Sequence, residues 1–473
     1  MSIFMAMLIG DAIGELPERF IAFSGGQSLA IVAGSSIVIW SLFRLSSLTL
    51  LKKLQAMEDP ANAMLVLPRK LDFFSNIIIV TAYGIQLISF GWAKLIILDW
   101  QLDRFILIDE LALLLPFVLM LCAKWYCFYP LSRFVKEHVM TGRLSSGIST
   151  RPVWTVGQYM SFQIRNNLMI MLMPLLMVIT IKDIVELAMP KDAEGNDTNA
   201  SQVLVLLGIG LVFIISPLVL KHIWRTRSLP DGPLRSILSD FCAKQKLRYH
   251  DILLWDTYSG MSNAAVMGLI PQVRFVLLSD ALIENMPDEQ IKAVCGHEAG
   301  HVKHHHILFL VLFVMASGGL AAMGIDYLDR ALKYVFDQRD WTPVIVDYII
   351  FAASIAAIVG WFVLFGWVSR RFERQADVYA AGSLFIPYER PDCLSMHGAA
   401  TMSNALHRIA ILNGISVHAK SWRHSSLGSR MEFLHQLATE PGAMQRYNKF
   451  CRAIKIIIAA VFAIFILLGG LIA

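Results

Sequence analysis

Charge is scarce in this chain. Asp, Glu, Lys and Arg make up 16% of its 473 residues, where a soluble protein carries about a quarter. That scarcity, with 56% hydrophobic residues and a positive mean hydropathy, excludes an ordinary water-soluble domain and points to a multi-pass membrane protein. Paired cysteines are also lacking. The six cysteines, Cys122, Cys127, Cys242, Cys295, Cys393 and Cys451, form no CxxC pair. A disulfide framework is thereby disfavoured, and small packed thiols are the simpler reading. No basic stripe accompanies the net charge of +5, so no nucleic-acid partner is expected. The first acidic residues, Asp11, Glu15 and Glu18, precede the first basic residue, Arg19, so the basic start of a secretory signal is not expected. No repeat of 20 to 50 residues is visible.

Long apolar runs are abundant. A membrane-crossing helix needs roughly 20 mostly apolar residues. Candidate runs lie at Phe20–Phe43, Phe73–Ala93, Leu111–Ala123, Leu168–Ile181, Ala200–Leu220, Ile307–Ile325, Tyr348–Val368 and Ile456–Ala473. The third reaches Phe128 if Lys124 snorkels. About eight spans are therefore expected, and the loops between them alternate in charge. Lys52, Lys53, Arg69 and Lys70 follow the first run, and Asp99, Asp103, Asp109 and Glu110 the second. Arg133, Lys136, Arg143, Arg151 and Arg165 follow the third, and Asp183, Glu186, Asp192, Glu194 and Asp197 the fourth. Lys221, Arg225 and Arg227 follow the fifth, Arg370 and Arg371 the seventh, and Arg446, Lys449, Arg452 and Lys455 precede the last. The positive-inside rule places the basic loops in the cytoplasm.

This pattern divides the chain into a five-span membrane domain at 1–220, a soluble stretch at 221–306, a two-span hairpin at 307–368, a second soluble stretch at 369–455 and a last span at 456–473. Both soluble stretches fall on the cytoplasmic side. The first reads as α+β. A helix is expected over Pro233–Gln245, and strands at Ile252–Trp255, Asn263–Gly268 and Val273–Leu278. A hairpin turn at Leu269-Ile270-Pro271-Gln272 joins the last two, and a helix opens at Pro287-Asp288.

That helix carries Cys295-Gly296-His297-Glu298-Ala299-Gly300-His301, an HExxH motif. Residues four apart share a helix face. His297 and His301 can therefore bind one zinc ion, and Glu298 can reach its water. Zinc needs a third protein ligand. His304, His305 and His306 are candidates, and His305 continues the same face. On a straight helix, however, eight residues span about 12 Å, which zinc–nitrogen bonds of about 2 Å cannot bridge. Supporting or interfacial roles suit those histidines better. Glu373 is the stronger candidate, because the motif helix runs into span six and span seven returns to the same level near Val368. Asp377, one turn on, could accept a hydrogen bond from a ligand histidine. Alone, Glu373 and Asp377 would read as a charged helix end.

HExxH followed far downstream by Glu373-Arg374-Gln375-Ala376-Asp377 resembles the integral-membrane zinc peptidases that include the CAAX prenyl proteases and the bacterial heat-shock membrane protease. Val276–Leu282, Glu289–His301 and Ser421–Arg430 are similar to that family as well, over roughly Lys221 to Leu434. His306 also matches a position in the prenyl-protease branch. The family's usual His-Pro becomes His424-Ser425 here, with Arg430 six residues after the histidine.

The resemblance implies an α-helical multi-pass membrane protein with a cytoplasmic-side α+β, zincin-like metalloprotease domain, in the cell (inner) membrane. It implies one Zn2+ per chain on His297, His301 and Glu373, with Glu298 as general base, and it places His424 and Arg430 in the active cleft. There they would stabilise an oxyanion or anchor a substrate carbonyl or carboxylate. From spacing alone, Arg430 would instead pair with Glu432 or Glu440. An extended peptide could add to the strand at Ser262–Gly268, contacting Asn263, Ala264 and Ala265. The expected partners are the lipid bilayer and a peptide or protein substrate that is membrane-associated, prenylated or misfolded. The alternatives are a zinc transporter or sensor built on His304–His306, and an inactive scaffold. The apolar runs hold no ladder of histidines or carboxylates for transport, and every side chain expected of an active enzyme is present.

Overall fold

A computed structural model of the protein describes residues 23–58, 60–145, 153–190, 199–336, 342–384 and 393–472. The acidic residues at 11, 15, 18, 192, 194 and 197, and Arg151, lie outside the described residues. The chain forms two compact units, one reaching to Arg227 and including Leu254–Met261, the other made of Ser228–Leu253 and Ser262–Ala473.

Helices dominate the first unit: α1 (Gly25–Gln55), α2 (Ala61–Ile88), α3 (Ile108–Ser145), α4 (Val156–Ala188, with a π-helical stretch at Ile164–Met169) and α5 (Asn199–Ile223). The remaining elements are β1 (Thr226–Ser228), α6 (Pro233–Lys244), β2 (Asp251–Trp255), β3 (Ala264–Met267), β4 (Phe275–Ser279), α7 (Asp280–Asn285), α8 (Asp288–Lys303), α9 (His306–Phe336), α10 (Thr342–Ser383), α11 (Met396–Leu412), α12 (Leu427–Thr439) and α13 (Ala443–Ile472). Among the described residues eight helices are long and apolar enough to cross a membrane, namely α1 to α5, α9, α10 and α13. All eight coincide with the apolar runs of the sequence. Their outer faces carry bare aliphatic side chains such as Ile37, Leu45, Leu207 and Val363, as a hydrocarbon surround requires. The chain is a multi-pass α-helical membrane protein with a small mixed α and β portion.

In the first unit the third span runs on past Phe128, and Lys124 meets partners on a neighbouring helix. It is buried, and its Nζ lies 2.9 Å from Asp72 Oδ1 and 2.8 Å from Asn76 Oδ1 on α2. A charge inside an apolar helix bundle is stabilised by a partner when one is within reach. Tyr83, Phe117, Trp92 and Trp125 belong to one buried hydrophobic cluster of this unit.

The sheet has the order β1-β2-β4-β3, which leaves β3 on an edge. β3 and β4 pair antiparallel, with Val266 opposite Val276, across a turn that contains Pro271–Val273. Ser279 then caps α7, its side chain accepting the Leu282 N–H. Pro287 precedes α8, whose first turn holds Asp288 and Glu289, as the helix dipole favours.

Helix α8 does not run straight into α9. It ends at Lys303, and His305 takes a left-handed backbone with φ 53°. Histidine tolerates that region better than most non-glycine residues. His305 therefore does not continue the face of His297 and His301, and α9 starts afresh at His306.

Candidate metal centre

The site begins with two glycines. Gly296 and Gly300 lie one turn apart on α8, facing Ala380 and Ala376 on α10. A Cβ on Gly300 would sit 3.0 Å from the Ala376 Cα, and one on Gly296 would sit 3.2 Å from the Ala380 Cα. Small residues on both helices thus let two backbones touch, as in close helix pairs within membranes. That contact brings His297 and His301 against Glu373, which lies 76 and 72 residues away in sequence by subtraction of their numbers.

The donor atoms of His297, His301 and Glu373 form a compact triad. The two Nε2 atoms are 3.2 Å apart. Glu373 Oε2 is 3.6 Å from His297 Nε2, and its Oε1 is 3.7 Å from His301 Nε2. Tetrahedral zinc with bonds of about 2.1 Å separates its ligand atoms by about 3.4 Å. The two nitrogens lie near that value, both carboxylate oxygens face them, and one donor atom from each residue lies within 4.8 Å of the others; two imidazoles with one carboxylate suit zinc in kind. The residues present therefore fit the ion.

Buried charges surround the triad. His297 Nδ1 lies 2.9 Å from Asp377 Oδ1, within ion-pair range although the ring is not aligned for a linear hydrogen bond. Burial pulls the His297 pKa down, but Asp377 outweighs it and the net direction is upward. His301 has no such carboxylate, and burial together with His297 pushes it down to about 3. Its imidazole is neutral, the form a metal requires. Burial pushes Glu298 up, against the pull of His297. Its Oε2 accepts the N–H of Val266, on the edge strand, at 3.2 Å.

Arg430 is buried and grips Asp377 with two hydrogen bonds, Nε to Oδ2 at 2.7 Å and a terminal nitrogen to Oδ1 at 2.5 Å. Its other terminal nitrogen is 3.5 Å from Glu373 Oε2. Burial disfavours the guanidinium charge, but Asp377 and Glu373 more than restore it. The partners weighed from spacing, Glu432 and Glu440, are not the ones it takes. His424 is exposed, and its Nδ1 lies 2.9 Å from Glu373 Oε1. The neighbouring Ser425 has φ 63°, a conformation that a proline ring, fixed near −65°, cannot adopt. The departure from the family's His-Pro pattern is therefore a real change of turn. Ser426 then caps α12, accepting the Ser429 N–H, and α12 delivers Arg430.

The edge strand needs a refinement. The Asn263 carbonyl accepts the Ser279 N–H, and its N–H donates to Ser279 Oγ. Antiparallel alternation then turns Ala265 towards β4 as well. Of Asn263, Ala264 and Ala265, only Ala264 presents its backbone to the free edge, together with Val266. Sequence reasoning also passed over Asn413. Its amide holds both backbone groups of Ser262 at 2.9 Å, fixing the approach to β3. A lone asparagine after a helix gives no signal of a clamp 151 residues away in sequence.

Comparison with known proteins agrees with this geometry. Residues 229–438 match the family described as Peptidase family M48. Over 175 residues the chain is 30% identical to a CAAX prenyl protease 1 homolog of Arabidopsis thaliana, covering 35% of this chain and 39% of that one. Over 194 residues it is 26% identical to a protease HtpX homolog of Bordetella avium (strain 197N), covering 38% and 63%. The matches thus span less than two thirds of these relatives. A crystal structure of S. mikatae Ste24p is similar with a TM-score of 0.48 and 17% identity, over 86% of this chain and 98% of that one. The resemblance read from HExxH and ExxxD holds over the matched segment.

Proposed function

We propose that the protein is a zinc-dependent endopeptidase of the membrane, with one Zn2+ held by His297, His301 and Glu373. The observation that carries the reading is that one donor atom from each of these three residues lies within 4.8 Å of the other two, close enough for a single ion. When bound, zinc would supply a Lewis acid for the scissile carbonyl and acidify water at its open position.

The protein's own groups account for the rest. Glu298 is one residue, or about 100° of helix turn, from the face of the two histidines, so it is free to act as a base rather than a ligand. It takes the proton of the attacking water and passes it to the leaving amine. Its raised pKa favours both halves of that task. Asp377, gripped by Arg430, orients His297. His424, exposed beside Glu373, is the group best placed to meet a substrate oxygen. An extended peptide would pair with the edge at Ala264 and at the Val266 carbonyl, the Val266 N–H being held by Glu298.

In this reading residues 1–220 form a five-span membrane domain. The protease portion comes from 221–306 and 369–455, with the hairpin 307–368 and the span 456–473 holding it at the bilayer. Charge alternation puts the site on the cytoplasmic face of a cell (inner) membrane. Prenylated, membrane-associated or misfolded proteins are the substrate class, drawn from the relatives named as a CAAX prenyl protease and an HtpX protease.

The test is Glu298→Gln in purified, detergent-solubilised protein. Zinc content should stay at one per chain while peptide cleavage falls about a thousandfold or more. Cleavage at the wild-type rate would refute the mechanism.

A further inference from the structure

The second ligand histidine has a different kind of support from the first. His297 faces a carboxylate, whereas His301 Nδ1 lies 3.0 Å from the Nδ1 of His306. His306 is fully buried. Its ring stacks on Phe372 at 4.5 Å between centroids, and His304 stacks against it at 5.6 Å. Its Nε2 lies 3.0 Å from Gln375 Oε1, which also receives Lys455 Nζ at 3.0 Å. Gln375 Nε2 donates to Asn448 Oδ1 at 3.3 Å.

The direction of each hydrogen bond follows from one end. An ammonium can only donate, so the Gln375 atom that meets Lys455 is an oxygen. His306 Nε2 faces the same oxygen and must carry a proton. In a neutral imidazole the other nitrogen is then an acceptor. His306 Nδ1 therefore takes the proton of His301 Nδ1. That leaves the His301 Nε2 lone pair pointing at His297 and Glu373, the orientation a metal needs. We propose that His306 is a positioning residue for His301, fixing its tautomer and ring angle through the chain Lys455–Gln375–His306–His301. The proposal rests on the metal-site reading above and deepens it.

The break after α8 makes this arrangement possible. On an unbroken helix, residues five apart point about 140° away from each other. The left-handed His305 resets the path, so that His306 turns back onto the ring it supports.

Zinc affinity of the full chain in detergent, measured by competition with a chelator, tests this without reference to activity. His306→Phe keeps a flat ring on Phe372 but offers no acceptor. It should weaken zinc binding about 10- to 100-fold. His306→Asn restores an acceptor at the δ position and should stay within about threefold of wild type. His306→Phe with wild-type affinity overturns the proposal, and so does equal weakening in folded His306→Phe and His306→Asn. Should His306→Phe fail to fold, Gln375→Leu decides. It removes the acceptor that sets the His306 tautomer, and unchanged zinc affinity there overturns the proposal. Wild-type protein without stoichiometric zinc would instead refute the metal site itself, a result distinguishable from all of these.

Discussion

Gly300→Ala adds one methyl group where α8 and α10 touch. The new Cβ would lie 3.0 Å from the Ala376 Cα, 3.1 Å from the Tyr379 Cβ and 3.2 Å from the Ala376 carbonyl oxygen. Carbon atoms in contact prefer about 3.5–4.0 Å. Two of the three obstacles are backbone atoms, so no side chain can swing away. The helices must give by a few tenths of an ångström. His301 moves with α8 while Glu373 stays with α10, yet a zinc site tolerates only about 0.2 Å in its bond lengths. We expect zinc affinity to fall about 10- to 100-fold and turnover roughly 100-fold. Stability responds to opposed terms. Alanine is favoured over glycine within a helix by about 1 kcal/mol, whereas overpacking costs about 1–3 kcal/mol. The net is a loss of up to about 2 kcal/mol. Gly382→Ala is the control, because its Cβ would meet nothing within 4 Å. Chelator competition and thermal melting of the two variants side by side supply the readings. If Gly300→Ala melts higher than wild type and binds zinc as tightly, the close approach does not hold the triad and the reasoning fails.

Other perturbations separate the remaining roles. His301→Ala should lose the metal and His305→Ala should keep it, because His305 has left the helical face; metal loss from His305→Ala, with zinc retained in Glu373→Ala, would reassign the third ligand. Arg430→Ala leaves the buried Asp377 carboxylate with His297 but without its guanidinium, so unfolding measurements should show a loss of about 3–5 kcal/mol; a stable variant with slowed turnover alone would return Arg430 to substrate contact. Ser425→Pro demands φ near −65° where the chain holds 63°, and should cost about 3 kcal/mol or shift the turn that carries His424; an unchanged melting point and unchanged activity would contradict the turn described. A cysteine at position 194 should react with an impermeant reagent outside the cell and one at 143 should not, the reverse pattern refuting the cytoplasmic site.

What could be read in advance follows from the range of each cause. Spans declare themselves because hydrocarbon burial depends on composition over about 20 residues, a local sum. The triad was legible because HExxH is local, and because the topology of two antiparallel spans returns Glu373 to the level of His297. Asp377 was legible as a partner for a ligand histidine, one turn from Glu373, but the contacts that hold the rest of the site were not, since each depends on a distant partner. Arg430 reaches Asp377 across 53 residues and Asn413 reaches Ser262 across 151. The role of His306 depended on a single left-handed residue. Hydropathy and periodicity treat His304-His305-His306 as a uniform polar run, and only a backbone angle separates a histidine pointing away from one that touches a ligand. Lys124 teaches the same lesson inside the membrane. Its place beside an apolar run suggested snorkelling, and its ammonium meets a carboxylate on the neighbouring helix. In each case the chemistry of the residue was evident and its partner was not. A change at His306 should therefore affect metal affinity before it affects the fold, and that order is measurable in the variants above.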